Sequence, residues 1–234
     1  MKINILVCDW FEDILPDFLP TFPTLFYNLF NAVEPQTEYQ LFDVQKGEFP
    51  TELQKDELYL ITGSRAGAYE NESWIKDLLD FIRKAHHNQV RIAGICFGHQ
   101  AIAEALGGKV EPSPKGWGTG IRVSKVIHPK AFEYFPDKEM RLCYNHNDQV
   151  VTLPPEAELI ATSDFCENEA FIIGDHILSF QGHPEYNIKY AQYLLNTADE
   201  KEKRTIQKAE KSLIQYTAQG LEVARWMMTR DKTV

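Results

Sequence analysis

The chain has 234 residues, 44% hydrophobic and 25% charged, a composition that suits a globular protein with a well-buried core. Its 24 basic and 34 acidic residues give a formal net charge of −10, which argues against nucleic acid as a partner, because that binding relies on clustered Lys and Arg. Cys8, Cys96, Cys143 and Cys166 are widely spaced with no Cys-x-x-Cys pair, so neither a zinc site nor a disulfide framework is suggested and a reducing, cytoplasmic setting fits best. The amino terminus meets acidic residues after one short apolar run, which reads as neither a signal peptide nor a membrane span.

Lys2 to Cys8 is near-continuously apolar, as strands of a parallel sheet covered on both faces are. Asp9 to Phe22 reads as irregular, with prolines at 16, 20 and 23 punctuating the region, and Thr24 to Val33 as a helix closed by Pro35. Glu38 to Val44 and Glu57 to Ile61 are the second and third strands, the latter running into Thr62-Gly63-Ser64-Arg65-Ala66-Gly67. Ser73 to His86 is an amphipathic helix on Trp74, Leu78, Leu79, Phe81 and Ile82, capped by Ser73 or Asn71, with His86 and His87 facing solvent at its end. This alternation predicts an α/β fold with a doubly wound, mostly parallel central sheet, helices on both faces, and active groups at the carboxyl ends of the strands.

The stretch from Val90 to Leu106, VRIAGICFGHQAIAEAL, is the most informative. Arg91 to Ile95 is a short apolar strand, Ala101 to Leu106 is strongly helix-forming, and Gly94 and Gly98 flank Cys96 two residues away on either side. Gly-x-Cys-x-Gly at a strand-to-helix switch has the shape of a nucleophile elbow, which holds its central side chain up in a strained backbone position. A thiol there sits over the first turn of a helix, whose free N–H groups favour thiolate. A lone cysteine ending an apolar strand is ordinarily packing, and the glycine frame is what favours a nucleophile here. The Gly63 turn leaves the neighbouring strand end; it is either a tight surface turn or a loop presenting a backbone N–H beside that of Phe97.

From Gly107 the periodicity shifts toward two. Thr119 to Ile127, Met140 to Asn145, Glu158 to Thr162, Ala170 to Ile173 and His176 to Phe180 read as short strands forming a smaller antiparallel layer. Gly116, Gly118 and Gly120 around Trp117 open no helix, so a dinucleotide fingerprint is not supported. The last strand runs into Gln181-Gly182-His183-Pro184-Glu185-Tyr186, where Glu185, two residues on in an extended segment, can hold one imidazole nitrogen of His183 while the other faces a thiol. His146 with Asp148 at the same offset is the rival; His183 is preferred because it ends a strongly apolar strand. His99, inside the helix, reads as packed or solvated, His128 as a turn residue and His176 as a strand start. After Tyr186 the chain reads as a C-terminal helical extension: Ile188 to Leu195, a charged stretch from Ala198 to Arg204, and a long amphipathic helix marked by Ile206, Ala209, Leu213, Tyr216, Val223 and Met227, bent at Gly220. That helix either covers the sheet or docks a partner. With no linker or repeat, residues 1–234 read as one domain.

With Cys96, His183 and Glu185 in hand, the chain resembles the class I (triad) glutamine amidotransferases, the amidotransferase domain of GMP synthetase among them. The family's G-x-C-x-G-x-Q is present as Gly94-Ile95-Cys96-Phe97-Gly98-His99-Gln100, its His-Pro-Glu as His183-Pro184-Glu185, and His146-Asn147-Asp148-Gln149-Val150 is similar to its HGD-x-V segment. The elbow and His-Pro-Glu about ninety residues apart form a specific combination, far stronger than either piece. The resemblance implies catalysis by Cys96, His183 and Glu185, an oxyanion hole from N–H groups of Phe97 and of Gly63 or Ser64, and substrate contacts from Gln100, Gly116, Trp117, Gly118, His146 and Asp148. It implies hydrolysis of the γ-amide of glutamine through a γ-glutamyl thioester, with no metal or organic cofactor, the ammonia passing to a separate synthetase. Stand-alone relatives that cut γ-glutamyl peptides carry the same triad. A non-catalytic regulatory subunit on the same fold is the alternative from another class, against which the three intact residues count. Where the family's oxyanion loop is usually Gly-Gly-Pro, this chain has Gly63-Ser64-Arg65.

Overall fold

In β1 (Lys2–Val7) neighbouring side chains alternate between two cores: Ile3, Ile5 and Val7 face one and Leu6 the other. The structure, a computed structural model, describes residues 1–11, 16, 19–197 and 203–229. After β1 come α1 (Phe22–Asn31), β2 (Glu38–Asp43), β3 (Leu58–Ile61), α2 (Ser73–His87), β4 (Arg91–Ile95) and α3 (Phe97–Ala105). Then follow β5 (Lys109–Pro112), β6 (Gly118–Val126), β7 (Glu139–His146), β8 (Asp148–Thr152), β9 (Glu158–Thr162), β10 (Ala170–Ile173) and β11 (Ile177–Phe180). The described chain closes with α4 (Ile188–Thr197), α5 (Lys203–Gln215) and α6 (Gly220–Met228).

Among the described residues one large sheet has the order β2-β1-β3-β4-β11-β10-β9-β6-β7. The run from β2 to β11 is parallel throughout. The remaining strands continue the same sheet antiparallel, and β5 and β8 form a separate two-stranded ladder. On one face α1, α4, α5 and α6 bury residues such as Phe26, Tyr190, Leu213 and Met227 against the sheet; on the other, α2 and α3 bury Leu78, Ile82 and Ile102. β4 therefore lies between β3 and β11, so their carboxyl ends at Gly63, Cys96 and Gln181–His183 come out side by side.

Several expectations need correction. α1 begins at Phe22, not Thr24: Pro23 occupies its first turn, where a missing N–H costs nothing, and so starts the helix. α2 is preceded by Glu72 as N-cap with no side-chain cap bond, and Ser73 is already helical. The two-stranded ladder had no counterpart in the sequence reading, β5 being four residues long with a proline at its end. His86 is half-buried and stacks on His176, with Nδ1 and Nε2 3.0 Å apart, so it does not simply face solvent.

The long C-terminal helix is two helices. Gln219 interrupts it by pairing with Arg141 of β7 both ways, its N–H donating to the Arg141 carbonyl at 2.7 Å and its side-chain oxygen accepting from the Arg141 N–H at 2.8 Å. At Gly220 a Cβ would lie 2.1 Å from the carbonyl oxygen of Pro184, so the break seats the extension directly against the His183–Glu185 segment. Residues 198–202 of the charged stretch, and 12–15 and 17–18 of the irregular segment, lie outside the described residues.

Two glycines with positive φ separate backbone strain from steric strain. Gly47 (φ 77°) has open space around it, whereas a Cβ on Gly120 (φ 84°) would meet Ala209 Cα at 2.6 Å. Gly47→Ala is expected to cost about 1–2 kcal/mol for its left-handed backbone. Gly120→Ala is expected to cost about 1–3 kcal/mol more, because it also pushes α5 off β6. Urea midpoints of the two variants check this; equal losses would contradict the packing of α5.

Candidate active site

Cys96 is the N-cap of α3, with φ 53° and ψ −102°, a backbone conformation that L-residues adopt only under constraint. The constraint is visible on every side. The Cys96 N–H donates to Phe180 O of β11 at 2.9 Å, and the Gly98 N–H donates to Thr62 O beyond β3 at 3.1 Å. A Cβ on Gly98 would sit 2.3 Å from Ile61 O, and one on Gly94 would sit 2.5 Å from Ile102 Cδ1 and 2.6 Å from Gly98 O. Both glycines of the elbow are thus required by contact, and the turn between them leaves Cys96 at the base of a pocket, 7% exposed.

His183 reaches the same pocket from the end of β11. Its N–H donates to Cys143 O of β7 at 2.7 Å, and its ring lies face to face with Tyr186, centroids 4.0 Å apart and planes 7° from parallel. Nδ1 is 2.8 Å from Glu185 Oε1, and both side chains are buried. Burial pushes the imidazole toward its neutral form, but the Glu185 carboxylate, and next the charge and hydrogen bonding of the Cys96 sulfur, outweigh it and raise the pKa to about 10. Nε2 has no well-aligned bond among the described residues, nor has Glu185 Oε2, so the carboxylate relies on the imidazolium for its charge balance. Gly63 completes the cluster: a Cβ there would lie 3.3 Å from His183 Cε1 and 3.8 Å from Cys96 Cβ.

The pocket, about 250 Å³, is lined by Gly63, Ser64, Cys96, Gln100, Trp117, His146, Asp148 and His183, together with Phe11, Arg65, Glu70 and Tyr186. Phe97 offers its backbone N–H at the first position of α3, and no acceptor for it is found among the described residues. Of the expected substrate contacts, Gly116 and Gly118 are not on the wall; only Trp117 of that loop is, its indole N–H donating to Asn145 Oδ1 at 2.7 Å. Gln100 is on the wall but its amide nitrogen is already used, donating to Asp148 O at 2.8 Å and Gln181 Oε1 at 3.1 Å.

The rival histidine lacks the carboxylate partner that its i+2 offset suggests. His146 bonds the backbone oxygen of Asp148 at 3.0 Å, not its carboxylate, and burial, with help from Arg122, drives its pKa down to about 3. His99 is packed, 2.7 Å from Ser179 Oγ, and burial likewise lowers it to about 3. The sequence reading missed Tyr186, although it follows Glu185 directly, and the Arg65–Asp9 pair, in which Arg65 Nε donates to Asp9 Oδ2 at 2.8 Å and Nη2 to Oδ1 at 3.1 Å. Two residues that far apart in sequence carry no local signal. Among the described residues no group of three His, Cys, Asp or Glu side chains is placed to hold a metal, and no helix is long and apolar enough to cross a membrane.

A parallel α/β sheet that gathers a thiol, an imidazole and a carboxylate at adjacent strand ends defines the class of fold and site. Comparison with known proteins assigns it more narrowly. Residues 27–198 match the family model of the class I glutamine amidotransferases. A Saccharomyces cerevisiae protein named for the glutamine amidotransferases, YLR126C, is 36% identical over 86% of this chain and 84% of its own length. Gamma-glutamyl peptidase 3 of Arabidopsis thaliana is 37% identical over 69% of each chain. A Thermotoga maritima glutamine amidotransferase crystal structure shares the fold with a TM-score of 0.73, at 21% identity over 97% of this chain and 95% of that one. The chain belongs to the class I glutamine amidotransferase family.

The raised imidazole pKa has a sign that can be tested. A proton that His183 holds in the folded state up to about pH 10 stabilises the fold fully below the ordinary histidine value, and that contribution is lost as pH rises through about 10. Glu185→Gln removes the largest favourable contribution to this proton, so the His183 pKa is expected to fall, measured by NMR titration of the ring. An unchanged pKa would contradict the ion pair.

Proposed function

We propose that the protein is a cysteine hydrolase that cleaves the amide bond at the γ-carbonyl of a glutamyl group, with Cys96 as nucleophile, His183 as proton carrier and Glu185 as its orienting carboxylate. The observation that carries this is the Glu185–His183 pair, 2.8 Å apart and buried, sharing a pocket with a cysteine held at positive φ over a helix start. His183 already carries the proton it shares with the thiol and keeps it on the ring while the sulfur attacks the γ-carbonyl carbon, the sulfur electron pair forming the C–S bond as the carbonyl π pair moves onto oxygen. The Phe97 N–H and an N–H of Gly63 or Ser64 receive that oxyanion. Collapse breaks the C–N bond, and the nitrogen leaves with the proton from His183. Water, deprotonated by the same imidazole, then cleaves the thioester to release glutamate and restore the thiol. Face-to-face contact with Tyr186 keeps the ring from turning away from this path.

Glutamine is the smallest substrate for this chemistry, and the family assignment supports it; its ammonia would pass to a separate synthetase. A second reading takes a γ-glutamyl peptide as substrate, so that the leaving nitrogen belongs to an amino acid. It is supported by the relatives named gamma-glutamyl peptidases, 37–39% identical over 69% of this chain.

Release of glutamate from glutamine and from γ-glutamyl peptides tests the reading. Cys96→Ala is expected to abolish turnover on both, whereas Glu185→Gln is expected to retain some activity, reduced by about 10²–10⁴-fold. Acid quenching of the working wild type should leave a γ-glutamyl adduct on the peptide containing Cys96, seen by mass spectrometry. Turnover in Cys96→Ala equal to wild type would reject the assignment.

A further inference from the structure

A second groove, about 340 Å³, opens on the far side of Trp117 between β6 and α5. Trp117 is a wall of both cavities, and its indole is pinned to Asn145 on the rim of the first, so the two share one partition. The new groove reverses the charge of the protein as a whole. Against a formal net charge of −10, its described walls carry Lys115, Arg122 and Lys208 and no acidic side chain. Arg122 is neutralised beneath the groove by buried Glu169, at 3.2 Å. Lys115 and Lys208 are not neutralised in this way. The Lys115 ammonium is held by two neutral acceptors, the backbone oxygens of Asp164 and Phe165, and forms no ion pair among the described residues. Lys208 is exposed on α5 and forms no ion pair among the described residues.

A glutamine side chain needs nothing beyond Trp117, because its leaving group is ammonia. A leaving amino acid or peptide must extend away from the scissile nitrogen, and it ends in a carboxylate. We propose that the Lys115–Lys208 groove is a leaving-group subsite that receives the C-terminal carboxylate of a γ-glutamyl peptide, with Trp117 separating it from the γ-glutamyl pocket. This rests on the hydrolase reading above and selects its peptide form. Binding of an anion between two lysines at a partly exposed surface is modest in strength and weakened by salt.

The test compares kcat/KM of the full-length protein for γ-glutamylalanylglycine, whose extra residue lets the terminus extend past Trp117, and for its C-terminal amide, which differ only in that charge. Wild type is expected to prefer the free carboxylate by about five- to tenfold, with the preference shrinking toward one at about 1 M salt, where the Debye length is about 3 Å. In Lys208→Glu the ratio should fall to about one or invert, while Lys208→Arg should keep it. Being at an exposed helix position, Lys208 can be changed without touching the core, and thermal melts confirm that each variant is folded. If wild type cleaves both peptides at equal rates, the subsite is wrong and the hydrolase reading stands. If Lys208→Glu keeps the wild-type preference, the groove is wrong as the source of it. If neither glutamine nor any γ-glutamyl peptide yields more glutamate than Cys96→Ala, both readings fall together.

Discussion

The whole site depends on one residue being forced into a conformation it would not choose. Cys96 at φ 53° and ψ −102° carries strain of about 1–3 kcal/mol, and an isolated strand-to-helix junction would relax it. It persists because the flanking strands over-determine it: β11 binds the Cys96 N–H, the end of β3 binds the Gly98 N–H, and the absent side chains of Gly94 and Gly98 let the turn close against Ile102 and Ile61. The parallel order β3-β4-β11 is therefore both the fold and the clamp. The same order delivers Gly63 and His183 beside the sulfur, so the strain and the assembly of the cluster have a common cause.

Burial alone would make the His183–Glu185 pair costly, since each ionised group loses its hydration. What offsets this is that the two charges meet at 2.8 Å and the sulfur adds a second attraction for the proton. The backbone supports the pair from two directions. β7 holds the His183 N–H through Cys143 O, and the C-terminal extension presses Gly220 onto the Pro184 carbonyl. The extension thus does more than cover the sheet. Its break at Gln219 pairs it to β7 and places it behind the histidine loop, which a single continuous helix could not do.

Much of this was legible in the sequence for a physical reason: apolar runs of a parallel sheet are continuous, and the elbow's glycines are a local requirement written at fixed spacing around Cys96. His183 and Glu185 were legible because a strand end and an i+2 offset place both side chains together without knowledge of the rest of the fold. What escaped depends on partners distant in the chain. His86 reads as a surface residue until His176 comes against it, and the Gln100 amide nitrogen reads as free until Gln181 and Asp148 take it up, although the residue stays on the pocket wall. The bend expected at Gly220 is a full break over 216–219, and its extent is not visible locally, because Gln219 and Tyr216 suit a helix and only the edge of β7 offers a better bond. Gly118 follows the same rule, since Phe165 and Arg122 crowd it at 2.5 and 2.7 Å, whereas Gly116 has open space around it and is required only by its φ of 75°.

The loop after β3 shows how a different sequence can meet the same demand. A Gly-Gly-Pro loop is stiffened by proline, which fixes φ and withholds an N–H. In Gly63-Ser64-Arg65 the third residue keeps its N–H, and Asp9 binds it at 3.3 Å while also taking two side-chain bonds from the same arginine. Ser64 Oγ accepts the Ala66 N–H at 3.2 Å, and Glu70 accepts that of Gly67 at 2.8 Å. Each N–H of the turn beyond Ser64 is thereby satisfied within the protein, while those of Gly63 and Ser64 have no acceptor among the described residues. Such a turn leaves these two donors free beside a pocket wall that Gly63, Ser64 and Cys96 share. Side-chain carboxylates supply the stiffness that a ring would otherwise give, and the segment that follows β1, through Asp9, becomes part of the support of the turn.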